Sequence, residues 1–261
     1  MVLSMSKSIH STLLLLLLGL SACGNGDSLG EDSPVVLKIA TAANMQLAMD
    51  SITSIFYDVH GIKCEVTSNS SGMLTALIQS GAPFDLLVSA NMRYPNELIK
   101  SGFGDSVQVY AYGKLALIYP KGKHYASPEE LLLSSSTKRI GLADKKTAPY
   151  GIAAKSYLKK SGLADKLSDK IVVGESVGQV NMYIKTKAVD AAFTSCSYVR
   201  KFQREYQIME IDQKYYGQIK QGAVILKSGK ENHPGESKKF FDFLFSEECQ
   251  EILKYFGYTG Y

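Results

Sequence analysis

The chain has 261 residues, of which 45% are hydrophobic and 21% are charged, and its formal net charge at pH 7 is +4. This small positive excess is spread along the sequence, which excludes the basic stripe expected of a nucleic-acid-binding protein. The four histidines are scattered without the spacing of paired ligands, so the sequence also argues against a histidine-based metal site.

The N-terminal segment has the pattern of an export signal. Lys7 supplies a positive charge, and Leu13 to Leu18 form an unbroken leucine run. An apolar stretch this short indicates a secretory signal peptide rather than a membrane-spanning helix. The sequence Leu-Ser-Ala-Cys at 20–23 also resembles the lipobox of bacterial lipoproteins. The resemblance implies that residues 1–22 are a lipoprotein signal peptide, cleaved before a lipidated Cys23; an ordinary signal peptide with a chance cysteine is the alternative.

Residues 23–34 are predicted to form a lipidated flexible tether. They are rich in Gly, Asn, Asp and Ser, which cannot bury much apolar surface. The folded part is expected to begin near Val35, which leaves ~227 residues for one large domain or two smaller ones of ~100–150 residues. Beyond the leader, no stretch approaches the ~20 apolar residues that a spanning helix needs.

The other three cysteines, Cys64, Cys196 and Cys249, lack Cys-x-x-Cys spacing. One disulfide is possible in an exported protein, but three thiols leave one over. We therefore expect buried free thiols.

The folded region alternates strand and helix patterns. The near-continuous apolar run at 35–42 predicts a strand that is buried on both faces. Apolar residues from Met45 to Val59 then recur at helical spacing, and Gly61 follows in the position of a C-terminal cap. Further strands are predicted at 62–68, 84–90, 106–120, 139–144, 170–176, 188–195 and 222–227, with helices between them and two helices at the C-terminus.

Two of these helices carry more detailed predictions. In the helix after the second strand, Met73, Leu74, Leu77 and Ile78 are expected to form one apolar face. In the last helix, Ser246 is expected to be the N-terminal cap.

Alternating strand and helix units predict an α/β fold in which parallel sheets carry helices on both faces. In such sheets ligands bind beyond the carboxyl ends of the strands, next to helix N-termini. The candidate binding segments are therefore the strand-to-helix junctions with small or polar residues: Ala43-Asn44, Ser70-Ser71-Gly72, Pro149-Tyr150-Gly151 and Ser176-Val177-Gly178.

Neutral donors at these junctions would suit a compact oxyanion. The first amides of a helix have no internal partner, side chains such as Asn44, Ser70 and Ser71 add donors, and the glycines would let a ligand approach the backbone. No junction carries Lys or Arg, so hydrogen bonds and helix dipoles would neutralise the charge. Taken singly, Asn44 and Ser71 are also favoured helix caps, and Tyr150 could be an ordinary packed aromatic. The binding interpretation requires that all four junctions face one cleft.

Six motifs occur in order along the folded region: AAN at 42–44, SNSSGML at 68–74, SGAPFDLLVSAN at 80–91, YGKLALIYP at 112–120, APYGIAA at 148–154 and SEECQEILKYFGY at 246–258. Together they resemble the molybdate-binding proteins of bacterial ABC importers, which belong to the two-lobed periplasmic solute-binding proteins. The resemblance extends from about Leu37 to the C-terminus.

The resemblance implies a two-lobed periplasmic-binding-protein fold (type II), with parallel-rich sheets flanked by helices and a ligand cleft between the lobes. Lobe 1 would comprise residues 35–112 and 222–261, and lobe 2 residues 113–221, with hinges near 111–113 and 221–223. The implied ligand is molybdate or tungstate, held by hydroxyls and backbone amides without cationic side chains and without a cofactor. The implied partner is an ABC permease in the membrane, and a monomer is expected.

The resemblance also implies particular ligand contacts. Carried over position by position, they are Asn44, Ser71, Tyr150 and Val177, with Ala43, Ser70, Gly72 and Ser195 as secondary contacts. Some relatives have a tyrosine after the last strand of the second lobe, where this chain has Ser195. A fifth contact could therefore come from Ser195 or Tyr198, or be missing.

Three other functions are the alternatives: a binding protein for another anion, an exported enzyme and a structural lipoprotein. A binding protein for another small anion, such as sulfate or phosphate, would use the same neutral donors. Protonated phosphate also needs an acceptor, and no carboxylate lies at the four junctions. An exported enzyme is not expected, because SNSSGM has neither the Gly-x-Ser-x-Gly pattern nor a nearby histidine base. A structural lipoprotein would not need matching donors in both lobes.

Overall fold

The computed structural model describes residues 35–261. The predicted signal peptide at 1–22, the tether at 23–34 and the lipidated Cys23 lie outside the described residues. No helix within this range is long and apolar enough to cross a membrane.

The first sheet is built from both ends of the described chain. Its strands and the helices that connect or follow them are β1 (Val36–Ala42), α1 (Gln46–His60), β2 (Lys63–Asn69), α2 (Ser71–Gln79), β3 (Leu86–Ser89), α3 (Arg93–Lys100), β4 (Gln108–Gly113), β10 (Ile219–Ile225), α8 (Lys227–Asn232), α9 (Pro234–Phe243) and α10 (Glu247–Tyr255). The strand order is β2-β1-β3-β10-β4, in which β1 is parallel to β2 and β3, while β10 is antiparallel to β3 and β4.

The second sheet is built from the middle of the chain. Its strands and the helices that connect them are β5 (Leu115–Pro120), α4 (Pro128–Leu133), β6 (Ile140–Ala143), α5 (Pro149–Lys160), β7 (Ile171–Gly174), α6 (Val177–Lys185), β8 (Ala191–Ser195), α7 (Cys196–Phe202) and β9 (Tyr206–Glu210). The order is β7-β6-β8-β5-β9, with β6 parallel to β7 and β8, and β5 antiparallel to β8 and β9. In each sheet one strand, β10 or β5, runs against the other four, so the two-lobed α/β fold with parallel-rich sheets is confirmed.

The chain passes between the two sheets twice. The first crossing needs only Lys114, because β4 ends at Gly113 and β5 begins at Leu115. The second crossing joins β9 to β10 through residues 211–218. The prediction of one continuous strand at 106–120 is wrong, because the apolar pattern continues through a point where the pairing partners change from β10 to β8 and β9. The lobe boundaries implied by the resemblance stay a prediction.

Local signals explain several helix ends. Gly61 ends α1 in the left-handed conformation (φ 69°), as its position predicts. The Ser246 Oγ accepts a hydrogen bond of 3.2 Å from the Cys249 amide, which confirms Ser246 as the N-cap of α10. The predicted apolar face of α2 is partly wrong, since Met73 and Leu77 are exposed by 38% and 40%. The helix instead buries Ser71, Leu74, Thr75 and Ile78.

Three elements were not predicted: α7, β9 and α8. The segment of α8, Lys-Ser-Gly-Lys-Glu-Asn, has no apolar residue from which a helix period could be read. It forms one turn and a half ahead of α9, so the C-terminal region has three helices rather than two.

Each sheet has its own apolar core. The first core includes Met49, Phe56 and Phe240, whereas the second includes Tyr157 and Phe193. Two small residues from the first sheet's strand ends, Ala42 and Ala90, pack into the second core cluster beside Tyr150 and Val177. The lobes are therefore in direct apolar contact at the cleft.

The three cysteines of the described range are free thiols, as expected. Cys249 is buried, but Cys64 and Cys196 are only partly buried. The expectation of buried thiols is therefore confirmed for Cys249 and holds only in part for these two.

Candidate anion site

All four strand-to-helix junctions selected from the sequence contribute to one small cavity between the sheets. This brings the carboxyl ends of β1 and β2 together with the segments that follow β6 and β7. The cavity is lined by Ala42, Ala43, Asn44, Ser70, Ser71, Ala90, Ala148, Pro149, Tyr150 and Val177. The condition set by the sequence, that the junctions face one cleft, is met.

The cavity is small and has no charged side chain in its lining. Its volume is about 10 Å³, which is room for about one water molecule. A tetrahedral oxyanion is larger, so binding it would require the lining to move outward. Three helices begin at this cavity, α2 at Ser71, α5 at Pro149 and α6 at Val177. Their first turns bring amide donors and the positive ends of helix dipoles to one place.

Ser70 does not act as a helix cap, although it precedes α2. Its side chain makes no capping hydrogen bond, and its Oγ is one of three buried side-chain atoms that have no partner within residues 35–261. Ser176 shows the contrast, since its Oγ accepts a hydrogen bond of 3.2 Å from the Gln179 amide and caps α6. A buried hydroxyl without a partner costs free energy, so Ser70 is a candidate for a ligand contact.

Tyr150 is the second buried hydroxyl at the cavity without a partner in the described part of the chain. The residue is 3% exposed. Burial raises the pKa of the Tyr150 phenol well above its ordinary value, so the hydroxyl stays protonated and can donate. The phenol lies against Gly113, at the end of β4, where a Cβ would collide with the Tyr150 hydroxyl.

The Asn44 side chain is directed into the protein's own hydrogen bonds. Its amide nitrogen donates to Gln221 Oε1 at 3.0 Å and to Tyr258 Oη at 2.9 Å. An asparagine amide has two donor hydrogens, so both are used. The expectation that Asn44 offers side-chain donors to a ligand is therefore not supported; what it can offer at the cavity is its main chain.

Sequence reasoning missed the residues that hold Asn44. Its carbonyl oxygen accepts hydrogen bonds from Tyr258 Oη at 2.8 Å and from Ser197 Oγ at 2.7 Å. Ser197 belongs to α7 in the second lobe, whereas Tyr258 belongs to the C-terminal segment. Gln221 interrupts the apolar strand β10 and is fully buried, which is the one signal in the sequence that could have marked it.

The glycines of the junctions serve close packing within the protein. The Gly72 amide donates to the Thr147 carbonyl at 2.9 Å. A Cβ on Gly151 would collide with the backbone of Ala143, and one on Gly178 would lie 3.4 Å from the Ala43 Cβ. The structure thus explains Gly72 and Gly151 by approach to other backbone segments, rather than by approach to a ligand.

Proteins of known family resemble this chain over almost its whole folded part. Residues 37–259 match the family described as bacterial extracellular solute-binding proteins. This chain belongs to that family. It is 31% identical to the molybdate-binding protein ModA of Azotobacter vinelandii over 97% of this chain and 99% of that protein. It is 30% identical to the putative ABC transporter substrate-binding lipoprotein YvgL of Bacillus subtilis over 95% of each chain.

A solved structure agrees with this assignment. The periplasmic molybdate-binding protein of Azotobacter vinelandii superposes with a TM-score of 0.80 at 28% identity, covering 85% of this chain and 98% of that one. The resemblance to molybdate-binding proteins is confirmed by these relatives. The family and the relatives compared are all named as binding proteins for a solute or a transporter substrate, so the prediction that the chain is not an enzyme is also confirmed.

In this solute-binding protein the expected fifth contact does not line the small cavity. Ser195 and Tyr198 line a neighbouring cavity of about 510 Å³ between α1, α6 and α7. The Ser195 Oγ is 2.7 Å from Ser197 Oγ, and the Tyr198 hydroxyl donates to the Asn181 carbonyl at 3.4 Å. Ser195 therefore belongs to the network behind Asn44.

The lining of the small cavity contains no carboxylate side chain. Asp144 and Glu175 lie close along the chain but do not line the cavity. The Asp144 carbonyl accepts from the Ala148 amide at 2.8 Å, which fixes the turn before α5. Within residues 35–261 there is also no group of three His, Cys, Asp or Glu side chains that could hold a metal ion.

Proposed function

We propose that this chain is the substrate-binding lipoprotein of an ABC importer and that it captures molybdate and tungstate. The observation that carries the proposal is the pair of buried hydroxyls, Ser70 and Tyr150, which line an uncharged cavity without a partner in the described chain. The choice of anion is supported by the relatives, because the Azotobacter vinelandii proteins with 31% and 28% identity are named for molybdate binding.

A fully ionised oxyanion needs donors only, which is what this cavity provides. The Ser71 hydroxyl accepts from the Ala90 amide at 3.0 Å and retains its own hydrogen for the anion. Ser70 and Tyr150 add two hydroxyls, while Asn44 and Val177 contribute main-chain amides beside Ala43. Hydrogen bonds to an ionised partner are about twice as strong as those between neutral groups. The hydroxyl contacts would therefore offset the loss of the anion's hydration without a cationic side chain.

Capture would proceed by closure of the two lobes around the anion. The crossing at Lys114 is a single residue, and β10 has a register shift between Gln221 and Gly222. Both features can absorb a change in backbone angles between two rigid sheets. Hinges near 111–113 and 221–223 would divide the chain into lobe 1, residues 35–112 and 222–261, and lobe 2, residues 113–221. The closed form of a monomer would then dock on the membrane permease.

Sulfate and phosphate are the alternative ligands. The uncharged lining does not itself exclude sulfate, but a cavity that opens to the size of the larger molybdate would leave some sulfate contacts stretched. Phosphate carries a proton at neutral pH and needs an acceptor, whereas the cavity lining has no carboxylate. We therefore expect weak sulfate binding and no phosphate binding.

Export and lipid attachment are part of the same proposal. The motif Leu-Ser-Ala-Cys at 20–23 would place the mature N-terminus at a lipidated Cys23. A lipid and a tether would hold the solute-binding protein close to the permease. Replacing Cys23→Ala should move the protein from the detergent phase to the aqueous phase in a cloud-point extraction of expressing cells. Unchanged partitioning would contradict the lipid anchor.

Calorimetric titration of the purified protein tests the anion. Molybdate, tungstate, sulfate and phosphate are titrated separately into protein freed of bound anions by unfolding and refolding. The expected result is tight binding of molybdate and tungstate alone. Tight binding of sulfate or phosphate would replace the proposed ligand, and no binding of any of the four would reject an oxyanion-binding function.

A further inference from the structure

Two hydrogen bonds join the lobes directly, next to the anion site. The Tyr94 hydroxyl, from α3 of the first lobe, donates to the Lys146 carbonyl at 2.8 Å. The Gly72 amide, from α2 of the same lobe, donates to the Thr147 carbonyl at 2.9 Å. The two acceptors are consecutive carbonyls of the loop between β6 and α5 in the second lobe.

The accepting loop is held in place by its own lobe. The Lys146 amide donates to Asp144 Oδ1 at 2.9 Å, and the Ala148 amide donates to the Asp144 carbonyl at 2.8 Å. The Thr147 hydroxyl reaches the Glu175 carbonyl at 3.4 Å. These bonds leave the Lys146 and Thr147 carbonyls directed outward in a fixed geometry, so the partner lobe binds a prepared surface rather than ordering a flexible one.

The two donors of the first lobe, the Tyr94 hydroxyl and the Gly72 amide, are also held in a fixed geometry. Tyr94 is only 4% exposed. Burial raises the pKa of its phenol, so the hydroxyl remains a donor at neutral pH. A Cβ on Gly72 would lie 2.8 Å from Tyr94 Oη and 2.9 Å from the Thr147 Cα and carbonyl oxygen. Only glycine at this position allows the two lobes to approach this closely.

We propose that Tyr94 and Gly72 form a latch between the lobes, which stabilises the closed form and slows release of the anion. The latch is continuous with the site, because Gly72 follows Ser71 and Thr147 lies three residues before Tyr150. Opening the cleft must break both bonds, whereas the first encounter with the anion in the open form involves neither. The effect on release rests on the function proposed above, but the latch itself can be measured without any anion.

The first test is the rate of molybdate release from Tyr94→Phe, measured by stopped-flow displacement with tungstate. Loss of one hydrogen bond is expected to raise the dissociation rate about 2- to 10-fold, with little change in the association rate. Tyr125→Phe is the matched control, because the Tyr125 hydroxyl bonds Ser136 Oγ at 2.9 Å within the second lobe. This control should release molybdate at the wild-type rate. Equal rates in wild type and Tyr94→Phe would overturn the latch.

The second test uses no ligand and measures how often the latch opens in the closed form that the anion-free protein samples. Hydrogen exchange of the Gly72 amide reports the bond to Thr147, since an amide exchanges when its hydrogen bond opens. Tyr94→Phe should accelerate this exchange about 2- to 10-fold, while Tyr125→Phe leaves it unchanged. If the wild type binds no molybdate but this acceleration is seen, the latch stands and the proposed ligand fails. If exchange at Gly72 is unaffected, the latch fails whatever the anion.

Discussion

The Ser71 hydroxyl oxygen accepts a hydrogen bond of 3.0 Å from the Ala90 amide. Ser71 begins α2 and Ala90 follows β3, so this bond links the ends of two structural units at the cavity wall. It fixes the position of the oxygen and leaves the hydroxyl hydrogen for another acceptor. A donor prepared in this way loses little conformational freedom when an anion arrives.

Replacing Ser71→Ala should weaken molybdate binding about 10- to 150-fold, because a hydrogen bond to a charged group contributes ~1.5–3 kcal/mol. The Ala90 amide also loses its acceptor, so a small decrease in melting temperature is expected. Titration calorimetry and thermal unfolding measure the two effects. Ser228→Ala, a change of the same size away from the cavity lining, should bind molybdate like the wild type. Wild-type affinity in Ser71→Ala would remove this residue from the site.

Tyr150→Phe should change stability and binding in opposite directions. Without anion, the variant is expected to be at least as stable as the wild type, because an unpaired buried hydroxyl costs ~1–3 kcal/mol. With molybdate, affinity should fall about tenfold or more, because the anion loses a donor. The two readouts are the melting temperature without anion and the dissociation constant.

The matched control for this change is Tyr157→Phe. The Tyr157 hydroxyl donates to Glu129 Oε1 at 2.9 Å. Its removal should reduce stability by ~1 kcal/mol and leave the affinity unchanged. A Tyr150→Phe variant that loses stability without anion would show that the hydroxyl has a structural partner after all.

Gly113→Ala should damage both the fold and the site. A Cβ at this position would lie 2.6 Å from Gln221 Nε2 and would collide with the Tyr150 hydroxyl. Overpacking of this kind costs ~1–3 kcal/mol, and displacement of Tyr150 should lower molybdate affinity. Gly235→Ala is the control, since a Cβ there meets no atom within 4 Å. Because Gly235 lies in the helix α9, this replacement should stabilise the protein by ~0.5–1 kcal/mol. Urea unfolding measures both variants, and equal free energies of unfolding for Gly113→Ala and Gly235→Ala would contradict the prediction.

The buried thiols predict a loss of stability at high pH. Burial raises the pKa of Cys249 from its ordinary 9.0 to about 12. Between these values the folded protein keeps the proton that the unfolded chain releases, so stability falls as the pH rises from 9 towards 12. Cys249→Ala should flatten this decline by up to about 1.4 kcal/mol per pH unit. Urea unfolding across that range measures the slope, and an identical slope in both proteins would exclude the thiol as a cause.

Much of the architecture could be predicted from the sequence because it depends on local patterns. Apolar runs, helical spacing and Gly61 or Ser246 at helix ends act within a few residues. The same patterns placed Ser71, Tyr150 and Val177 at helix starts, and parallel strands bring such starts to one edge of a sheet. The break in the strand predicted at 106–120 was missed for the same reason, since the apolar period is unbroken while the pairing partners change. A crossing near 111–113 came only from the family resemblance.

What tertiary structure decided is how the junction residues are used. Asn44 could be recognised as a polar residue at a strand end, but its amide is committed to Gln221 and Tyr258, which are 177 and 214 residues away. Gly72 could be recognised as a glycine at a helix start, but its amide bonds Thr147 in the other lobe. Ser70 and Ser176 both precede helices, yet only Ser176 caps one. Local sequence determines which donors are present at a strand end; the contacts brought from distant parts of the chain decide which of them still have a hydrogen to give.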